Sequence, residues 1–447
     1  MNSAAASLSS AIAASAQPLR GAASDYDGLL ALIGDARFVL LGEATHGTHE
    51  FYQQRARITE RLIAEKGYTA VAVEADWPDA YRVNRYVRGE GSDRDAVGAL
   101  GGFKRFPSWM WRNADVVEFV DWLRGWNASR PAPASTGFYG LDLYSLFTSM
   151  DEVLRYLDRV DPAAAADARQ RYACFDHYGE DSQQYAYAAG IGHSESCQRE
   201  VITQLQHMQS RAAEYMRADG IGAADAFFYA QQNARLVKNA EEYYRTMFRG
   251  RVASWNLRDR HMSDTLDALA LHLGEQRGAP PKLVVWAHNS HVGDARATDS
   301  ARLGQWNVGE LSRQRYGDAA CLVGFSTYDG WVTAATDWDG PAERKQVRPA
   351  LAGSYEDVFH ESALGDFMLA LRPDSAARQA LLERRLARAI GVLYLPRTER
   401  QSHYFVTQLP QQFDAVLHFD TTSALQPLEP TSHWDSGEAP ETYPIGL

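Results

Sequence analysis

Cysteine is scarce in this 447-residue chain, and the few cysteines that it has lie far apart. Cys174, Cys197 and Cys321 are too few and too scattered for a disulfide framework or for a zinc site built from thiolates. This usage is typical of a reducing compartment. We therefore expect unpaired cysteines and a cytoplasmic location.

Excess basic charge and long apolar runs are also lacking. A net charge of -12 argues against nucleic acid or an anionic membrane surface as a partner. No stretch reaches the roughly eighteen apolar residues of a membrane span. The Ala- and Ser-rich residues 1–17 have neither the basic start nor the apolar core of a signal peptide. We expect a monomer that acts on a small molecule.

Several common catalytic motifs are missing. The chain has no G-x-S-x-G sequence, so a serine nucleophile elbow is not supported. The glycine spacing from Gly42 to Gly47 matches a phosphate-binding loop, but Thr48 stands where that loop needs lysine. The chain also lacks the G-x-G-x-x-G sequence of dinucleotide-binding folds. The remaining candidates use acid and imidazole side chains.

Four short apolar runs each end close to a residue that can move a proton. Runs of this length are typical of strands buried in a parallel sheet. The carboxyl ends of parallel strands lie at one edge of the sheet, where ligands bind. The sequence therefore predicts that one crevice gathers the four terminal residues, which are Glu43, Glu74, Asp142 and His288.

Other polar residues cluster beside these strand ends. His46 and His49 follow Glu43 at intervals of three, and Asn289 and His291 follow the fourth strand. Arg55 falls on the apolar face of the next predicted helix, so we expect it to be buried beside the Glu43 turn. A buried arginine needs an anion.

A carboxylate beside an imidazole fixes the imidazole tautomer and raises its basicity. Such an imidazole can deprotonate water, and an arginine or a second histidine can stabilise the oxyanion that forms. These groups suffice to hydrolyse an ester with no covalent intermediate. The same residue types can bind zinc or manganese. Their spacing differs from H-E-x-x-H, so a divalent metal is not indicated and we expect no cofactor.

The pattern of strands and helices predicts an α/β fold with a mostly parallel central sheet flanked by helices and a large α-helical insertion. We expect residues 1–148 and 278–447 to form the α/β core and residues 149–277 to form the insertion. The insertion closes with a helix that leads back to the sheet and carries Arg258 and Asp259.

Four further stretches are predicted to be β-structure. Ala320–Ser326 and Gly330–Ala334 are typical of a hairpin or of two adjacent strands. Gly391–Leu395 and Phe413–Phe419 are expected to be the last strands.

In its motifs the chain resembles the erythromycin esterase family. The resemblance extends from about Phe38 to Leu425, and the motifs in this order are specific although each alone is weak. They are Gly42–Gly47, Glu50-Phe51 with Arg55, Ala72–Glu74, Asp76–Asp79, Ala287–His291, Arg400–Phe405 and Phe413–Ala415.

The resemblance implies hydrolysis of a lactone or carboxylic ester, such as a macrolide ring, by water that His46 activates. Glu43 would orient that base, and Glu74 and His288 would complete the catalytic crevice. The resemblance also implies that no metal is obligatory. The residues expected to hold the substrate or the oxyanion are Arg55, His291, Asn289, His49 and Asp142.

Two alternatives stay open on the sequence alone. One is a metal-dependent hydrolase that cleaves a different bond, such as a peptide or phosphate bond. The other is a ligand-binding relative that has lost turnover. The chain carries the Asp76–Asn84 signature of an abundant branch of the family, whose members are often only called esterase-like. Water-mediated hydrolysis is therefore better supported than macrolide cleavage.

Overall fold

The computed structural model describes residues 2–131, 134–178, 181–190, 196–217, 221–248, 250–371 and 373–436. The strands are β1 Ala16–Pro18, β2 Phe38–Leu41, β3 Ala70–Asp76, β4 Gly137–Asp142, β5 Leu283–Trp286, β6 Ala320–Ala334, β7 Glu343–Val347, β8 Phe367–Ala370, β9 Arg385–Arg388, β10 Tyr404–Thr407 and β11 Ala415–Thr422. The helices are α1 Asn2–Ser15, α2 Asp27–Ile33, α3 His49–Lys66, α4 Trp77–Val87, α5 Ala96–Ala99, α6 Ala114–Ala128, α7 Leu146–Val160, α8 Pro162–Tyr172, α9 Ser182–Gly190, α10 Gln198–Ser210, α11 Ala212–Arg217, α12 Ile221–Thr246, α13 Arg251–Arg277, α14 Asn289–Val292, α15 Val308–Tyr316, α16 Tyr355–His360, α17 Ala376–Ala380, α18 Glu399–Ser402, α19 Leu409–Gln412 and α20 Ser432–Ser436.

A nine-stranded sheet forms the centre of the protein, in the order β1-β8-β11-β6-β2-β5-β3-β4 with β7 paired to β6. The strands from β11 to β4 in this order pair in parallel, whereas β7 and β8 run antiparallel to their neighbours. Helices flank the sheet, and β9 and β10 make a separate two-stranded sheet. The predicted fold class is confirmed.

Apolar packing on both faces explains the unbroken apolar runs of the central strands. Phe38 and Leu40 of β2 belong to one core cluster, whereas Val39 and Leu41 belong to a second cluster on the opposite face. Side chains alternate between the faces of a strand, so a strand covered on both faces has to be apolar throughout.

Seven helices, α7 to α13, connect β4 to β5, and no strand occurs among the described residues between them. The long helix α12 packs against α7, α9, α10 and α13. The division of the chain at residues 148 and 277 stays a prediction.

Cys174 and Cys197 form a disulfide within this helical segment, so the expectation of unpaired cysteines is wrong for these two residues. Their Cα atoms lie 5.9 Å apart, within the range that a disulfide spans. Cys321 is a buried free thiol. The cytoplasmic location stays a prediction.

The strands of the C-terminal part differ from the prediction in two places. β6 is one continuous strand through Gly330, where two strands were expected. Gly330 permits a close approach of β11, because a Cβ atom there would lie 2.1 Å from the carbonyl oxygen of Thr422. Gly391–Leu395 is not a strand and contributes only an isolated bridge between Leu393 and Ala335.

The parallel pairing brings the predicted strand ends to one edge of the sheet. Leu41 of β2 and Val73 of β3 both pair with Trp286 of β5, and Asp76 pairs with Asp142 of β4. The residues that follow these positions therefore leave the sheet side by side.

None of the helices within the described ranges has the length and apolarity that a bilayer crossing requires.

Asn289 joins the segments that follow β2 and β5 to the middle of β6, and Gly42 leaves room for it. Asn289 N donates to the carbonyl of Glu43 at 2.8 Å, and its side chain donates to Phe325 O at 2.7 Å. A Cβ atom on Gly42 would lie 2.0 Å from Asn289 Oδ1. Any side chain at position 42 would therefore clash with Asn289, so only glycine fits there.

We therefore predict that Gly42→Ala lowers the free energy of unfolding by about 1–3 kcal/mol, because the added methyl group overfills the strand junction. Urea denaturation measures the change. The control is Gly125→Ala on the exposed face of α6, where nothing lies within 4 Å of the new methyl group. That control should stabilise the protein by about 0.5–1 kcal/mol. Equal effects of the two changes would contradict the role of Gly42.

Candidate active site

A cavity of about 430 Å³ lies at the carboxyl edge of the sheet. Its walls come from the strand ends, from the loop before α6, from α13 and from the C-terminal part of the chain. Five of the residues predicted from the sequence line it: His46, Glu74, Asp142, His288 and His291. The structure thus brings the ends of β2, β3, β4 and β5 together, as the pattern of strand ends indicated.

Glu43 lies directly behind the cavity and contacts two partners. Its Oε1 atom is 2.9 Å from His46 Nδ1, and its Oε2 atom is 2.7 Å from Arg55 Nη2. The Glu43 carboxylate therefore accepts a hydrogen bond from Nδ1–H of His46, so Nε2 is the ring nitrogen that can accept a proton. His46 itself lines the cavity.

Arg55 is buried as the sequence predicted, and its anion is Glu43. The guanidinium also lies over the rings of Tyr52, at 4.3 Å, and Trp286, at 5.1 Å. Arg55 is 0% exposed and does not line the cavity, so the expected contact with substrate is not available to it. The geometry makes Arg55 the counter-ion that holds Glu43.

Glu74 connects three parts of the site. Its Oε2 atom accepts the backbone N–H of His288 at 2.8 Å, and its Oε1 atom accepts Arg258 Nη2 at 2.7 Å. His291 Nε2 lies 3.3 Å from the same Oε1 atom. These cations hold the pKa of Glu74 well below its usual range, although burial acts in the opposite direction. Glu74 is therefore an anion that positions β5 and α13.

Arg258 and Asp259 of α13 complete the site, and sequence reasoning gave neither a role. Arg258 binds Asp142 through Nε at 3.0 Å and Nη2 at 2.6 Å. Asp259 accepts His291 Nδ1–H at 2.9 Å and is fully buried. Two adjacent charges inside a helix that returns to the sheet were the available signal, but the sequence did not show which residues they face.

His288 is a neutral donor. Its Nδ1 atom accepts the backbone N–H of Ser290 at 3.2 Å, which places the ring proton on Nε2. Burial, with the neighbouring His46, lowers the pKa of His288 to about 3. The two rings lie 4.9 Å apart between centroids. Within the described residues, His288 Nε2 has no hydrogen-bond partner.

His291 is a cation at neutral pH. Burial alone would lower its pKa, but the charges of Asp259 and Glu74 outweigh burial and raise the pKa to about 9. Arg258 Nη1 lies 3.0 Å from His291 Nε2 and, as another donor, opposes protonation. Because two carboxylates and one guanidinium surround the ring, the protonated form of His291 is favoured over the neutral form. The indole of Trp255 stacks on the His291 ring at 4.6 Å.

Two predicted substrate ligands point elsewhere. His49 Nδ1 pairs with Asp115 Oδ2 at 2.9 Å on the outer side of α3, and the His49 side chain is 38% exposed. The side-chain amide of Asn289 donates a hydrogen bond to the carbonyl of Phe325, as described above. Neither residue lines the cavity, so the expectation that they contact substrate is not supported by their positions.

The acid and imidazole side chains in the crevice are residue types that can also bind a metal ion. Across the parts of the chain that the structure describes, no three His, Cys, Asp or Glu side chains converge as a metal ion requires. The expectation that the protein needs no cofactor stays a prediction.

Comparison with known proteins finds similarity to one family over most of the chain. The family model described as Erythromycin esterase matches residues 63–422. Erythromycin esterase type II of Escherichia coli is 24% identical over 322 residues, which cover 69% of this chain and 73% of that protein. The putative hydrolase YbfO of Bacillus subtilis strain 168 is 22% identical over 428 residues, which cover 90% of this chain and 88% of that protein.

Solved structures show the same fold. A succinoglycan biosynthesis protein superposes with a TM-score of 0.77 at 20% identity and covers 95% of this chain and 99% of its own. A mutant of the erythromycin esterase EreC in its open conformation superposes with a TM-score of 0.65 at 16% identity and covers 91% of this chain and 96% of its own.

The buried pair of Arg55 and Glu43 yields a stability prediction. Arg55→Met leaves Glu43 as a buried charge without its cationic partner and should lower the free energy of unfolding by about 3–5 kcal/mol. Adding Glu43→Gln removes that charge, so the double variant should recover much of the loss. Urea unfolding of the two single variants and the double variant measures this coupling. Additive losses would show that the two side chains do not depend on each other.

Proposed function

The chain belongs to the erythromycin esterase family, and we propose that it hydrolyses a carboxylic ester or lactone with a water molecule that His46 activates. The observation that carries this proposal is the hydrogen bond between Glu43 and His46 at the wall of the cavity. The macrolactone of an antibiotic such as erythromycin is the finer candidate. Its support is the printed name of the Escherichia coli relative.

In the proposed reaction His46 is the general base. Its Nε2 atom takes a proton from water as the water oxygen bonds to the ester carbonyl carbon. The tetrahedral intermediate then breaks its bond to the alcohol oxygen, which takes the proton back from His46. Glu43 keeps the His46 ring in the required tautomer throughout, and the ion pair with Arg55 holds Glu43 in place.

The carbonyl oxygen gains negative charge in this step, and cationic residues that line the cavity can stabilise it. His291 is positively charged, and Arg258 lies beside it in the cavity wall. His288 adds a neutral N–H between the two histidines. Donors that are already fixed by Asp259, Glu74 and Asp142 need little rearrangement when the charge forms.

Every group in this scheme comes from the chain itself. That the reaction needs no metal is part of the proposal, and full activity in a chelator would support it. A monomeric state and a cytoplasmic location also stay predictions.

His46→Ala should lower kcat/KM for an activated ester by about 10²–10⁴-fold, the usual contribution of a general base. The control is His49→Ala, which removes a histidine three residues away that lies outside the cavity. It should leave kcat/KM within about twofold of the wild type, because His49 does not line the cavity and changes away from a site rarely perturb it. Circular dichroism confirms that both variants fold. Near-normal turnover by His46→Ala would contradict the base assignment.

The charge on His291 predicts an alkaline limb in the pH profile. His291 loses its proton as the pH rises through about 9, so kcat/KM should fall there with the loss of the cation. Asp259→Asn removes the charge that most strongly raises this pKa, and Glu74 and Arg258 remain. The limb should therefore move to lower pH. Profiles recorded between about pH 7 and 10 test this, and an unmoved limb would contradict it.

A further inference from the structure

The charges along one wall of the cavity pair up almost completely. Arg258 lies between Glu74 and Asp142, with contacts of 2.7 Å and 2.6 Å. Farther along, Arg105 Nε binds Asp76 Oδ2 at 3.0 Å. Both arginines of this wall are therefore neutralised by carboxylates of the wall itself.

Asp79 is the exception. It lies in the first turn of α4 and lines the same cavity, and its Oδ1 atom lies against Gly102, where a Cβ atom would be 2.9 Å away. Within the described residues, no donor bonds the Asp79 carboxylate, and no cation lies within 4 Å of it. A carboxylate at this position of a helix is favourable for the helix dipole, but that role does not require an opening into the cavity.

The groups around Asp79 weaken the preference of its carboxyl group for the ionised form. Burial raises its pKa to about 7, and the neighbouring charge of Asp76 acts in the same direction. Arg105, Arg82 and Lys104 oppose this shift without cancelling it. A positive group brought by a ligand would supply the missing partner.

Aromatic side chains face the same space. Phe103, Phe106 and Trp111 come from the segment that follows Gly102, and all three line the cavity. Trp338 approaches from the turn between β6 and β7 and packs edge-on against Phe106 at 5.1 Å. Aromatic faces next to a carboxylate are the surroundings that bind alkylated ammonium groups in proteins.

We propose that Asp79 and the aromatic side chains that line the same cavity bind an alkylammonium group of the substrate. This inference rests on the proposed function and names a substrate class for it: esters that carry a basic or quaternary amine beside the bond to be cleaved. Asp79 is then a specificity-determining residue at a distance from the acid and base groups. Arg251, an exposed cation at the rim, is the competing feature and would instead favour anionic esters.

The test compares three esters on the full-length protein. Benzoylcholine carries the ammonium group, 3,3-dimethylbutyl benzoate is its uncharged carbon isostere, and an ester with a carboxylate in that place is the anionic probe. The ratio of kcat/KM for benzoylcholine over the isostere should fall at least about tenfold in Asp79→Asn, because the variant loses the coulombic attraction between the carboxylate and the quaternary ammonium, which donates no hydrogen bond. The control Asp151→Asn removes an equal charge from an exposed position of α7 outside the cavity and should keep the ratio.

Calorimetric binding of benzyltrimethylammonium gives a readout without turnover and should weaken at least about tenfold in Asp79→Asn. Thermal unfolding checks that this isosteric variant folds. Hydrolysis of the esters with no preference for the cation, or with a preference for the anionic ester, would overturn the Asp79 subsite and leave the proposed function intact. Asp79-dependent binding without hydrolysis of any ester would support the subsite and overturn the proposed function.

Discussion

The candidate active site depends on burying carboxylates without losing their charge. Glu43, Glu74, Asp142 and Asp259 are all at most 5% exposed, and each has a cation or an imidazole in contact with it. A carboxylate buried there without a partner would take up a proton and lose its charge. Arg55 pairs with Glu43 behind the cavity, and Arg258 pairs with Glu74 and Asp142 in its wall, whereas Asp259 pairs with His291.

These partners come from distant parts of the chain, and the fold is what brings them together. Arg55 follows Glu43 within one strand-helix unit, whereas Arg258 lies on α13, beyond the whole helical segment that connects β4 to β5. α13 must therefore dock at the carboxyl edge before Glu74 and Asp142 acquire their counter-ion. Folding of the helical segment and formation of the site are coupled for this reason, although that segment contributes few groups to the cavity.

Local pattern was enough to predict the sheet, its polar edge and the burial of Arg55. Apolar runs, glycine ends and helix periodicity depend on near neighbours, so they can be read from the sequence. The sequence did not indicate which faces of long helices meet the sheet, so Arg258 and Asp259 received no role and Cys174 and Cys197 were not paired. Proximity in sequence was misleading for His49 and Asn289. Each lies within three residues of a cavity-lining histidine, but α3 turns His49 outward and Asn289 clasps a neighbouring strand.

The carboxylate charge is balanced differently in the pair Glu43–His46 and in the pair Asp259–His291. The two imidazoles therefore have different roles in the proposed reaction. Arg55 neutralises Glu43, so Glu43 orients the His46 ring without bringing an uncompensated charge to it. Among the residues that the structure describes, no arginine or lysine pairs with Asp259, and Asp259 and Glu74 together hold a proton on His291. One imidazole is thus arranged to receive a proton and the other to remain a cation. Placing groups of unlike protonation on two sides of one cavity allows acid and base steps to proceed at the same pH.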